Sequence, residues 1–97
     1  MTIEHIVFIE ANEGQSEQVA QELLDGIAGL KGQIPGVLDV KLGANFTNRA
    51  PGVTHAAVVT LEDKEALAGY GPHPAHKEVL KLLLPFAKNV TVVDIEI

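Results

Sequence analysis

The chain has 97 residues, with seven Lys+Arg against thirteen Asp+Glu for a formal charge of −6, a 46% hydrophobic content and no cysteine. That length fits one thin-cored domain over residues 1–97. The acidic balance argues against nucleic acid and anionic membrane surfaces, which call for a basic face, and the lack of cysteine removes disulfides, thiol nucleophiles and Cys-ligated metals. The longest apolar run, Val79–Ala87, is interrupted by Lys81 and Pro85, so no membrane span is expected. The start, Met1 to His5, lacks the basic stretch of a signal peptide, and a soluble cytoplasmic domain is the expectation.

Ile3 to Glu10 predicts a strand with Ile3, Val7 and Ile9 on one face and Ile6 and Phe8 on the other. Asn12 with Gln15 three residues later reads as a capping box opening a helix. Val19, Leu23, Ile27 and Leu30 supply its apolar stripe, and Gly32 and Pro35-Gly36 stop it. Val37 to Phe46 and Val53 to Leu61 predict a hairpin, with Leu38, Val40 and Leu42 sharing a face. Asp63 caps a short helix from Lys64 to Tyr70, which Gly71-Pro72 breaks. A further helix begins at His73-Pro74, with proline at the favoured first position, and runs to Pro85. Val90 to Ile97 predicts the last strand.

The order βαββαβ is the ferredoxin-like arrangement, an α+β fold with a four-stranded antiparallel sheet. Strand 1 is then central, between strands 3 and 4, and helices cover one face only. Strands 1 and 4 are nevertheless apolar on both faces, through Ile6 and Phe8 in one and Val93, Ile95 and Ile97 in the other. A second copy packed sheet to sheet resolves that excess, so a homodimer is expected.

Four histidines stand out. His5 alternates with Ile3 and Val7, either as a hydrogen-bonded core group or as a pocket group. His73 is the expected N-cap of its helix. His76 shares the inward face with Val79, Leu80 and Leu83, and a helix N-terminus favours its neutral ring. A neutral base beside free backbone N–H groups suits proton abstraction next to a carbonyl; plugging the helix end is the plainer alternative. Tyr70 is either a phenolic donor to the same cavity or a core aromatic. His55 reads as structural, bonded across the sheet. Asp94, on the strand beside strand 1, either orients a histidine as a carboxylate–imidazole pair or is solvated. No phosphate loop, zinc motif, calcium loop or nucleophile motif is present, and neither a cofactor nor a metal site is expected.

Glu4-His5-Ile6-Val7-Phe8, Ile34-Pro35-Gly36-Val37, Gly43-Ala44-Asn45, Thr54-His55-Ala56, Tyr70-Gly71-Pro72-His73-Pro74-Ala75-His76 and Val93-Asp94 together resemble the stress-responsive dimeric α/β barrel (Dabb) family, from Ile3 to Ile97. The resemblance implies a ferredoxin-like protomer whose sheet pairs with that of a second copy into a dimeric α/β barrel with the helices outside. Most members of the family have no assigned activity, and plant members are associated with stress. One plant relative is a polyketide cyclase, in which the residues matching His5 and His76 line the pocket and the latter acts as base. The family tyrosine matches Tyr70, and the acidic residue of the last strand matches Asp94. The chain departs from the cyclase at Gly26-Ile27-Ala28, where the cyclase has a tyrosine.

Two readings of function follow. In the first, His76, His5, Tyr70 and Asp94 act on a small, largely apolar, polyketide-like carbonyl compound by acid–base chemistry without a cofactor, as in a cyclase or lyase. In the second, the protein is a non-catalytic dimeric structural or ligand-binding stress protein whose histidines satisfy each other. A cofactor-free monooxygenase is a weaker third, by analogy of fold alone.

Overall fold

A computed structural model describes residues 1–97. The elements are β1 (Ile3–Ala11), α1 (Glu17–Ala28), β2 (Val37–Ala44), β3 (His55–Leu61), α2 (Lys64–Tyr70), α3 (Pro74–Phe86) and β4 (Ala87–Glu96). A 3-10 turn, Gly29–Gly32, extends α1. The sheet order is β2-β3-β1-β4, with every neighbouring pair antiparallel. The fold is ferredoxin-like, as the βαββαβ order predicts.

The core lies between the helices and one face of the sheet. Leu23, Ile27 and Leu30 bury against Ile9, Val59 and Leu61, each large side chain contributing roughly 1.5–3 kcal/mol by leaving water. Val19, assigned to this stripe from its spacing, is 39% exposed, and Ala20 packs against the core in its place. Ala20 lies three residues before Leu23 and seven before Ile27, so it continues the buried stripe while Val19 falls at its edge.

Three local expectations change. Ser16, not Asn12, caps α1, its hydroxyl accepting from the Val19 N–H at 3.1 Å. Asn12 serves the end of α3 instead. Its backbone N–H donates to the Phe86 carbonyl at 2.8 Å and its side-chain amide to the Pro85 carbonyl at 3.3 Å, satisfying carbonyls that a helix end leaves bare. With those partners α3 runs one residue past Pro85, and β4 starts at Ala87 rather than Val90.

The hairpin strands are shorter than expected, ending at Ala44 and starting at His55. The register shifts between Val37 and Asp39. A bulge of this kind places two residues against one and inverts the alternation. Val37 is therefore buried, Leu38 is 44% exposed, and Val40 and Leu42 regain the core.

Gly36 makes the turn into β2 with φ +89°. A Cβ there would lie 2.6 Å from the Ala66 Cβ, so both backbone conformation and space require glycine.

Candidate active site

The helix-covered face of the sheet carries the odd-numbered residues of β1, and His5 is among them. The β1–β4 register sets His5 directly opposite Asp94. Opposed side chains of an antiparallel pair lie within reach of each other. His5 Nδ1 and Asp94 Oδ1 are 2.5 Å apart. A carboxylate only accepts, so the proton sits on Nδ1 and leaves Nε2 as the second polar atom of the ring.

α3 brings His76. His73 caps that helix by accepting from the Ala75 N–H through Nδ1 at 3.0 Å, and Pro74 occupies the first turn, as the sequence pattern predicts. His76 then lies one turn before Val79, Leu80 and Leu83, all on the inward face. Its Nδ1 is 3.0 Å from the Gly71 carbonyl oxygen. That carbonyl also only accepts, so His76 likewise carries its proton on Nδ1. Burial lowers the His76 pKa from 6.5, partly offset by the Gly71 carbonyl and reinforced by the neighbouring His5. The helix N-terminus disfavours the imidazolium in the same sense.

Tyr70, the last residue of α2, sits between the two histidines and is only 4% exposed. Its ring meets His5 edge-on at 5.3 Å and His76 at 4.7 Å between centroids. Burial pushes the phenol up to about 12, so the hydroxyl remains a donor throughout the physiological range.

His5, Tyr70 and His76 line one cavity of about 210 Å³ between the sheet and the helices. Its other walls are aliphatic, among them Val7, Ile27, Val59, Leu80 and Val92, and no Lys, Arg, Asp or Glu lines it. The sequence pattern marked the polar residues but not these walls, because wall and core positions share one hydrophobic spacing. It also missed the Gly71 carbonyl, which is set against His76 by the break between α2 and α3.

His73 and His55 are elsewhere. His73 borders an acidic groove with Glu62, Asp63 and Glu65. His55 bonds its neighbour Thr54 rather than a residue across the sheet, with Nδ1 to Oγ1 at 2.8 Å, and stacks edge-on against Phe86. Thr54 makes the cross-sheet links, donating to the Ile9 carbonyl and accepting from the Ala11 N–H. No three His, Asp or Glu side chains gather as metal ligands, and no helix is long and apolar enough to cross a membrane.

Residues 3–97 match the Stress responsive A/B Barrel Domain family. The chain belongs to the Dabb family. Among relatives of this Dabb protein, a stress-response A/B barrel domain-containing protein, HS1, of Arabidopsis thaliana is 32% identical over 95% of this chain and 86% of its own length. Olivetolic acid cyclase of Cannabis sativa is 31% identical over 78% of this chain and 77% of its own. A dimeric ferredoxin-like protein of unknown function from Thermobifida fusca superposes with a TM-score of 0.88 at 22% identity, over all of this chain and 92% of that one. The last likeness is one of fold.

Proposed function

We propose that this Dabb protein binds a small, largely apolar carbonyl compound and abstracts a proton from the carbon next to the carbonyl. The observation that carries the reading is the convergence of two imidazoles and one phenol, with fixed proton positions, on a single aliphatic cavity. His76 Nε2 takes the proton, the C–H electron pair moves into the enolate, and the Tyr70 hydroxyl donates to the developing oxyanion. His5, oriented by Asp94, contacts the same polar end of the ligand. Base, oxygen donor and positioning pair are all side chains, so the proposed step calls for no cofactor. The similarity to a cyclase supports carbon–acid chemistry. The proposed step ends at the enolate, because Ile27 lines the cavity in the stretch where the cyclase has a tyrosine.

The same reading makes the protein a homodimer, closed over the face of the sheet that the helices leave bare. Its support is the apolar character of that face and the dimeric state of its structural relatives.

The test is hydrogen–deuterium exchange at the carbon next to the carbonyl of phenylacetone, followed by NMR in deuterated water. The protein is expected to exchange it above the buffer rate, and His76→Ala to lower that catalysis by roughly 10²–10⁴ with circular dichroism unchanged. Exchange at the buffer rate, or an unaffected variant, sinks the reading and leaves a binding or structural role.

A further inference from the structure

The open face of the sheet, which the proposed dimer covers, is not wholly apolar. Glu4 lies there, next to Ile6 on that face of β1 and opposite Thr60 of β3. Lys41 lies there too. It falls between Val40 and Leu42, which turn to the core, and its row continues through Val58 to Ile6. The Glu4 carboxylate oxygens accept from the Thr60 hydroxyl at 2.8 and 3.1 Å. That hydroxyl has one proton to give, so most acceptor positions of the carboxylate stay free.

The other carboxylates of this face have cations of their own. Asp39 is 3.8 Å from Lys31, and Glu10 is 3.8 Å from Lys88. Within one protomer Glu4 has no cation and Lys41 no carboxylate. β3 stands between their strands, which sets the two backbones roughly 10 Å apart. Arg49 is also unpaired, but it is exposed in the loop after β2, at the Phe8 end of the face and away from Glu4. At that rim it keeps its water, whereas Lys41 stands on the sheet itself.

We infer that in the dimer Glu4 of each copy pairs with the partner's Lys41, so that two reciprocal ion pairs fix the register of the facing sheets. The inference rests on the dimer proposed above. A two-fold interface is self-complementary: where one residue meets a second, that second meets the first on the other side of the axis. One unpaired anion and one unpaired cation per copy meet that condition and leave no charge over. Packed sheets lie roughly 10 Å apart, a gap that a glutamate and a lysine reaching from opposite sides can bridge. Left unpaired there, each charge would lose water without compensation. Paired, the two specify register and partner more than they add affinity.

Charge reversal in the full chain tests the pairing, with sedimentation reading the dimer and native mass spectrometry reading mixtures. Glu4→Lys and Lys41→Glu are each expected to raise the dissociation constant of their own dimer at least about 10-fold, with circular dichroism unchanged. Should Glu4→Lys fail to fold, Glu4→Gln, which still accepts from Thr60, takes its place, and an undiminished dimer overturns the inference. Mixing is the decisive step. A Glu4→Lys protomer carries two lysines at these positions and a Lys41→Glu protomer two glutamates, so the mixture is expected to form heterodimers in excess of random exchange. A pair confined to one protomer would give no such excess. Glu4→Lys mixed with Arg49→Glu is expected to exchange at random. Single variants that dimerise like the unmodified protein, random exchange in the first mixture, or selective pairing in the second overturn the inference and leave the dimer standing. A monomeric unmodified protein overturns both.

Discussion

At the level of single side chains, the site depends on which proton each group holds at neutral pH. His76 lies below the ordinary histidine value of 6.5 because burial penalises its charged form. It is therefore a free base at neutral pH, and protonating it would remove the proton acceptor of the proposed step. The rate of catalysed exchange against pH is expected to fall with acid through an inflection below 6.5. Stability follows the same sign. An unfolded His76 takes up its proton near 6.5 and the folded one only at lower pH, so its contribution is complete above 6.5 and fades as pH falls through the folded value. His55 is lowered by burial in the same way and adds to the trend. Melting temperature measured across that interval should decline toward acid, and His76→Ala should shallow the decline. An acid limb above 6.5 would contradict the assignment of His76 as the base.

Among the elements, the site depends on junctions more than on helices or strands themselves. The α2–α3 break supplies both the Gly71 carbonyl that orients His76 and the end of α2 that carries Tyr70. α2 is held in turn by its Asp63 cap, which accepts from the Ala66 N–H at 2.8 Å, and by the close approach of Ala66 to Gly36. Gly36→Ala is expected to destabilise the fold by about 1–3 kcal/mol, from a left-handed backbone angle and a contact that cannot relax without moving α2. Chemical denaturation measures the loss, and a change below about 0.5 kcal/mol would mean that α2 moves freely. These junctions were partly legible beforehand. Gly71-Pro72-His73-Pro74 announces a break, a cap and a helix start. The Asn12 contact to α3 was not legible, because a residue 73 positions away is brought there by the sheet.

Over the whole molecule, the helices shelter one face of the sheet and leave the other open. Val93 and Ile95 on β4 and Ile97 just beyond it are 43%, 42% and 62% exposed, beside Ile6 and Phe8 on the central strand. A patch of this kind on an isolated protomer is unfavourable, and the proposed dimer would cover it with an identical patch related by two-fold symmetry. Val93→Asp places a charge on that face, outside the cavity. It is expected to convert a dimer to a monomer by sedimentation while the circular dichroism of the protomer persists. A monomeric unmodified protein, or a variant that remains dimeric, removes the open face as the interface. The cavity lies on the opposite, helix-covered side, so dimer loss and loss of proton exchange are separable.

The order of the elements, the central place of β1 and the pairing of polar residues with a single family were all readable from sequence. They depend on hydrophobic period, caps and breakers, which act over a few residues and leave their mark in local spacing. Tertiary structure alone decided that Asp94 binds His5, that Tyr70 stands between two imidazoles, that Leu38 turns outward and that the space between helices and sheet stays open. Each of these depends on register or on volume. One residue of slip reverses every side chain of a strand, and a cavity is the difference between a backbone's separation and the side chains that fill it, a quantity no single stretch of chain contains.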